Sequence, residues 1–500
     1  MRKIPATLVT QHPDHASKPY WLDQEYIANN HEIEECYLSF KDFEATEYKW
    51  DWEGKFVDES VIEKLYAEHL EYFIKHQLGR DKFLTFRLPN PKVEVEYRIG
   101  RALMGIHAAK GLAEKAGMEA TPLFEVILPM TETAEEMIDI QDAYQEIASL
   151  SHKYFTNVQS PLKHLEIIPL FEQADIIANS DQILQRYLDL CKWRYGFYPE
   201  YMRPYIARSD PALNAGIVPT VLGIKIALSG FAQLAVKTGI PMYPMIGAAA
   251  LPFRGGINPE TVEAFVNEYQ GIRTTTIQSA FRYDYSFEEA KAAIAKLEEI
   301  LPDSQAELIT AEEKLKIQKV MSAFERIYQH AIIGIAPLVN EAAKFIPNRR
   351  ERVQHTGLFG YSREVGETKL PRAIKFTAAL YSLGIPPEFI ATGRGLANIE
   401  NQKIVFKYFK NFRADLIRAG KYLNKTNLQK LAQKEKAWQG IYDDVVALEK
   451  ILELEFKPET EAELEHQQLT SEFFKAMTTS SKADLEKIVV RAGVLRKSLG

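Results

Sequence analysis

Up to residue 285 the chain alternates short apolar runs with longer segments in which apolar residues recur every three or four positions. The runs are LVT (8–10), ECYLSF (35–40), FLTFRL (83–88), PLFEVILP (122–129), LEIIPLF (165–171), YMRPYIA (201–207), YPMIG (243–247) and RTTTIQ (273–278). Continuous apolar runs of this kind predict strands buried on both faces. Segments between them, such as TAEEMIDIQDAYQEIASLSHKYF and SDQILQRYLDLCKWRYG, predict amphipathic helices. Alternation of the two predicts a parallel sheet, and seven or eight such units before residue 285 predict a closed TIM-like (β/α)8 barrel. Beyond residue 285 strand-like runs become rare and long helical patterns take over, from FEEAKAAIAKLEEIL to most of 400–500. The expected organisation is a barrel over 1–285 that carries most of the active site. A helical part over 286–500 packs on the barrel, because no Gly/Ser/Pro-rich linker separates them.

Composition narrows the function. Hydrophobic residues make up 46% of 500 residues, enough for a large core. The formal charge of −7, from 61 basic and 68 acidic residues, argues against a general nucleic-acid binder but leaves room for a local basic pocket. Cys36 and Cys191 stand far apart with no CxxC or Cys/His cluster, which argues against structural zinc and fits a reducing compartment. The N-terminus lacks the apolar stretch of a signal peptide. The longest apolar run, IVPTVLGIKIALSGFAQLAV, is broken by Gly, Pro and Lys225 and reads as buried core. The expectation is a cytoplasmic protein with no membrane partner.

In a parallel barrel, chemistry sits at the C-terminal ends of the strands. Just past the apolar runs stand His12, Arg87, Thr131 and Glu132, Glu172, Asp210, then Arg254 with Gly255 and Gly256, and then Gln278 and Arg282. Glu172 and Asp210, on neighbouring strands and without Cys or His company, suit a hard cation such as Mg²⁺ or Mn²⁺. They equally suit helix caps or arginine partners. RGG at 254–256 suits an anion, since glycines let backbone approach and a guanidinium binds oxyanions as a fork. A plain turn reads the same way. Arg349, Arg350 and Arg352 read as a solvated basic face. Arg363 in GYSR and Arg372 in KLPR sit beside turn or helix-start residues, where an ordered anion site fits. In TQHPDH (10–15), Pro13 argues against a helix that would align His12 and His15, so a single functional histidine or a turn histidine remains.

Taken in order, these motifs resemble phosphoenolpyruvate carboxylases, and by length the short archaeal-type branch. TQHPDH is similar to the family's TAHPTE-like motif, placing His12 at the catalytic histidine. PLFE and RSDPALNAG are similar to its metal-binding motifs, placing Glu172 and Asp210 at the metal. PFRGG is similar to its glycine- and arginine-rich loop, placing Arg254 in a catalytic role with Gly255 and Gly256 at the substrate. TTIQSAFRYDY places Gln278 and Arg282, GYSR places Arg363, LPRAIKF places Arg372 and LTFRLPN places Arg87 at substrate or phosphate. The ending AGVLRKSLG is similar to a family tail that closes on glycine and reaches the active site. Lys497 or Ser498 stands where that tail has asparagine, and Leu213 where the family has lysine. The second GRGG and the histidine before the first arginine are missing. These departures fall in parts the family uses to bind dicarboxylic acids, and the shorter length implies lost regulatory helices. The resemblance implies a Mg²⁺- or Mn²⁺-dependent carboxy-lyase joining phosphoenolpyruvate and bicarbonate, and a homo-oligomer, dimer or tetramer. Two rivals stand beside it: a metal-dependent carbon–carbon lyase of the same barrel type, and a non-catalytic scaffold, which would tolerate loss of His12, Glu172 or Asp210.

Overall fold

The structure is a computed structural model. It describes residues 3–351 and 363–500 except 54, 56, 95, 96, 151–161, 163, 366 and 367, and for 363–365 it describes the backbone alone. Eight parallel strands close into a barrel: β1 (Thr7–Thr10), β2 (Glu47–Asp51), β3 (Phe83–Arg87), β4 (Glu125–Leu128), β5 (Glu166–Phe171), β6 (Tyr205–Ala207), β7 (Met245–Gly247) and β8 (Thr274–Ile277). Each pairs with its neighbour in sequence, and β8 closes on β1 with Leu8 opposite Thr276. A two-stranded hairpin, β9 (Arg363–Val365) and β10 (Thr368–Leu370), lies outside the barrel sheet.

Seven of the eight strands fall within or beside the apolar runs named above. The exception is informative. ECYLSF lies in the helix Glu32–Lys41, and the second strand is EYKWD instead. Ile33, Cys36 and Phe40 recur at helical spacing and all enter the core between sheet and helices. In EYKWD the period is two. Tyr48 and Trp50 join that same outer core, while Glu47, Lys49 and Asp51 occupy the alternate positions and are buried as well.

The barrel interior is therefore layered by polarity. An apolar layer of Leu8, Ile127, Ile168, Leu170, Tyr205 and Met245 fills the middle. Toward the N-terminal ends of the strands, Arg203 donates to Glu47 at 2.6 Å and to Glu125 at 2.7 Å, with all three side chains almost fully excluded from water. Toward the C-terminal ends, the charged residues described below take over.

The helical part begins after β8. Ser286 and Thr310 each open a helix with a capping box, over Phe287–Ile300 and Ala311–Ala343. The 33-residue helix Ala311–Ala343 packs on Ile217–Thr238 and on Ala373–Ser382. Ile217–Thr238 is long and apolar enough to cross a membrane, and 83% of its most apolar window is buried inside the protein. The helical core takes in Ala16, Ala212, Leu213 and Phe253, which belong to the turns and the short helix that follow strands at the barrel mouth. One continuous apolar cluster thus joins the C-terminal helices to the end of the barrel where the strands finish.

The Arg203 pairing can be tested. Removing one member of a buried ion-pair set leaves the others charged and dry. Arg203→Leu is expected to destabilise the fold by about 3–5 kcal/mol, read as a lowered denaturation midpoint. The double replacement of Glu47 and Glu125 by Gln in the same background is expected to recover part of that loss.

Candidate active site

The strand ends open into a cavity of about 340 Å³, lined by His12, Arg87, Glu172, Asp210, Arg254, Gln278 and Arg372 among others. That volume suits a small molecule, and the lining is rich in charged side chains.

The TQHPDH turn is held residue by residue. Thr10 ends β1, and its carbonyl accepts from Arg282 Nη2 at 3.0 Å. The Gln11 side-chain oxygen accepts from the Asp51 amide and from Lys55 Nζ, both at 3.0 Å. His12 Nδ1 lies 2.8 Å from Thr10 Oγ1, which turns Nε2 to the other side of the ring. The proton affinity of His12 is pushed well below the ordinary histidine value, first by burial and then by the charges of Lys49 and Arg87. Both effects favour the neutral imidazole. His15 is absent from the cavity wall; its Nε2 meets the Glu25 carbonyl at 3.1 Å and its ring stands edge-on to Tyr283. The two histidines do not converge.

Glu172 follows the last residue of β5, and Asp210 sits in the first turn of the helix after β6. The two strands are hydrogen-bonded neighbours, with Phe171 opposite Ile206. This pairing brings both carboxylates into one cavity wall. Among the described residues no set of three or more His, Cys, Asp or Glu gathers as a metal cage. Two oxygen donors beside a small cavity fit a hard divalent cation whose remaining ligands come from water and substrate. They do not fit a softer or fully caged metal.

Arg254 ends a short turn after β7 and is almost fully buried. Its Nε donates to Ser209 Oγ at 3.1 Å and its Nη2 to Gln278 Oε1 at 2.8 Å. Its Nη1 reaches Asp14 Oδ2 at 3.3 Å and the Gly500 backbone oxygen at 2.5 Å. The tail is seated by Leu499, whose amide donates to the Asp14 carbonyl at 2.7 Å, and by Ser498 Oγ at 3.3 Å from the same carbonyl. Arg87 is gripped by Asp51 through two bonds of 2.6 and 2.8 Å and by Glu53. Arg372 caps the start of helix Ala373–Ser382 and lines the cavity with Ala373 and Ile374.

Other expected residues stand outside the wall. Gly255 and Gly256 have φ of +115° and +76° and sit behind Arg254, where a Cβ would strike Ala248 or Arg418. They shape the turn. Arg282 is buried behind the TQHPDH turn against Glu35 and Tyr283. Lys497 reaches the surface, pairing with Glu260 at 2.5 Å over the Tyr285 ring, so Ser498 is the tail side chain beside the histidine turn. Arg363 lies on β9, and its side chain, like Arg352, is outside the described residues.

Two features escaped the sequence reading. Lys49, Asp51 and Glu53 line the cavity from β2 and the turn after it, the strand that the pattern misplaced. Arg349 and Arg350 are not a solvated face; both are buried. Arg350 pairs with Glu32 at 3.0 Å and Glu35 at 2.7 Å, and Arg349 with Glu25 and the Ala16 carbonyl. Their carboxylate partners lie more than 300 residues earlier, beyond any local pattern.

Comparison with known proteins gives this geometry a family. A family model described as phosphoenolpyruvate carboxylase matches residues 4–500. The chain is 38% identical to a phosphoenolpyruvate carboxylase of Oenococcus oeni over 508 residues, which span all of this chain and 99% of the relative. It is 38% identical over 520 residues to one of Methanospirillum hungatei and 34% identical over 503 residues to one of Leuconostoc mesenteroides, again spanning all of this chain and 99% or more of each relative. The match spans the whole length, and the chain belongs to the phosphoenolpyruvate carboxylase family.

Proposed function

We propose that this chain carboxylates phosphoenolpyruvate with bicarbonate, giving oxaloacetate and phosphate. The observation that carries the reading is the meeting of His12, Arg254, Arg372, Glu172 and Asp210 around one small cavity, in a chain of this family.

The chemistry asks for three things. A bicarbonate oxygen attacks phosphorus and the enol C–O–P bridge breaks at phosphorus, giving carboxyphosphate and the pyruvate enolate. Such a transfer is served mainly by positioning and by fixed positive charge. Arg254 and Arg372 supply that charge, and Arg87 holds an adjacent position set by Asp51 and Glu53. Glu172 and Asp210 would hold Mg²⁺ or Mn²⁺, which offsets charge on the enolate oxygen when bound. Carboxyphosphate must then lose its proton and part into CO₂ and phosphate. His12, neutral and with Nδ1 turned to Thr10, takes that proton at Nε2. The enolate carbon finally adds to CO₂. Water must stay out, or the enolate is protonated to pyruvate. The buried tail Ser498–Gly500 closes that side of the cavity. Gln278 orients Arg254, while Arg282, Gly255 and Gly256 support the same loops from behind. Lys497 anchors the tail from outside, and Arg363 belongs to the substrate-binding set by resemblance. The working form is a cytoplasmic homo-oligomer, dimer or tetramer.

Oxaloacetate formation, coupled to malate dehydrogenase with phosphoenolpyruvate, Mg²⁺ and bicarbonate, tests the reading. Wild type is expected to consume NADH in a bicarbonate-dependent way. His12→Asn is expected to lose about 10²–10⁴-fold in oxaloacetate formation with an unchanged melting temperature, while still releasing phosphate and pyruvate. A well-folded wild type without bicarbonate-dependent turnover would overturn it.

The depressed proton affinity of His12 fixes a pH dependence. A base must be deprotonated to act, and a lowered pKa keeps it so to lower pH. At constant bicarbonate concentration, the acid limb of kcat/KM should fall below the ordinary histidine value of about 6.5. Lys49→Met removes the second-largest contribution to that depression and should move the limb upward.

A further inference from the structure

We propose that Asp14 is a positioning residue of the reaction: it sets the plane of Arg254 and registers the C-terminal segment on the turn that carries His12. This rests on the carboxylase reading and adds to it a residue with no assigned role.

The geometry is unusual in how many segments it joins. Asp14 is fully buried, two residues from His12 across Pro13, whose ring fixes φ. Its Oδ1 accepts from the Ala280 amide at 2.8 Å, in the first turn after β8. Its Oδ2 accepts from Arg254 Nη1 at 3.3 Å, on the loop after β7. Its carbonyl accepts from the Leu499 amide and Ser498 Oγ of the tail. A shift of Asp14 therefore moves the histidine turn, the anion-binding arginine and the tail together.

Arg254 makes the consequence specific. A guanidinium has five N–H donors. Ser209, Asp14, the Gly500 oxygen and Gln278 take four of them, which leaves a single Nη2 hydrogen for a ligand. Asp14 is the side-chain carboxylate that pairs with this cation, and together with the Gly500 oxygen it takes both Nη1 hydrogens, so it helps set where the remaining Nη2 hydrogen points. The competing idea is that Asp14 only satisfies backbone. The neighbouring Asp284 does that: its carboxylate accepts from the Ala16 amide at 2.8 Å and the Ser17 amide at 2.6 Å, stapling the same turn without contacting Arg254. It is a built-in control.

The experiment compares Asp14→Asn and Asp284→Asn with wild type, measuring oxaloacetate and pyruvate from one reaction with malate and lactate dehydrogenase couplings. Asp14→Asn is expected to raise KM for phosphoenolpyruvate and the pyruvate-to-oxaloacetate ratio by about tenfold or more. Asp284→Asn is expected to lower the melting temperature and leave that ratio unchanged. Amide exchange at Leu499, which needs no turnover, should quicken about tenfold in Asp14→Asn, a factor of ten being about 1.4 kcal/mol. Wild-type ratio, KM and exchange in Asp14→Asn would overturn the proposal. So would Asp284→Asn shifting the ratio as far as Asp14→Asn does. Should Asp14→Asn fail to fold, Asp14→Glu keeps the charge, displaces it by one methylene, and is read against the same limits. A wild type that forms no oxaloacetate counts against the carboxylase reading, while the exchange measurement still decides the tail contact.

Discussion

A guanidinium taken out of water has to be met on every side by acceptors, and Arg254 is met by groups from four separate parts of the chain. Ser209 stands beside the candidate metal ligand Asp210, Asp14 beside the histidine, Gln278 at the end of β8 and Gly500 at the tail. None of these acceptors is interchangeable with solvent, because the residue is almost fully buried. Leaving one unmade costs the desolvation of a charged donor. The site is thus held together by the same demand that makes Arg254 useful. The buried cation forces the strand-end loops into one arrangement.

A second ring of charge holds the first. Glu35 is fully buried and accepts from Tyr48 at 3.0 Å, Tyr283 at 2.9 Å, Arg282 at 3.1 Å and Arg350 at 2.7 Å. Burial alone would raise its proton affinity; Arg350 and Arg282 outweigh that and hold it ionised below the carboxylate range. Glu32 continues the chain from Arg350 to Lys55, and Lys55 to Gln11. Gln11 precedes His12. The TQHPDH turn therefore leans on a buried network that reaches the segment around 350, which enters the cavity wall from the helical part. Fixed groups of this kind need no reorganisation when charge develops in the reaction.

The sequence shows most of the barrel because most of its strands are short apolar runs set between helical patterns, and a strand of that kind announces itself. It hides β2 for a physical reason. Glu47, Lys49 and Asp51 point where a sheet residue would ordinarily be apolar, since Glu47 pairs with Arg203 below, Asp51 pairs with Arg87 above, and Lys49 stands 3.8 Å from Asp51. ECYLSF wins a local contest it loses in the fold, where its apolar positions fit a helix. The same blindness removes Lys49, Asp51 and Glu53 from any list drawn at strand ends. His12, Arg87, Glu172, Asp210, Arg254, Gln278 and Arg372 are legible because each follows a recognisable run or motif. Arg349 and Arg350 are not, because a charge cluster is indistinguishable from a solvated face until its distant counter-charges are in place. Lys497 and Ser498 are adjacent in sequence and face opposite ways, which only the seated tail reveals.

The two ends of the barrel use buried charge for different ends. At the floor, Arg203 is shared by two glutamates and an adjacent threonine hydroxyl at 3.3 Å, and the set faces an apolar layer. None of the three charged residues lines the strand-end cavity, and their effect is on register, a role that buried polar groups can fill where apolar packing would be less selective. At the mouth the same kind of pairing borders open space. Arg87 is bound by two carboxylates, so its net attraction for an anion is weak and its position is firm. Arg254 meets the Asp14 carboxylate, the oxygen of the last residue Gly500 and the neutral acceptors Ser209 and Gln278, so its position too is firm, with one Nη2 hydrogen left toward the cavity.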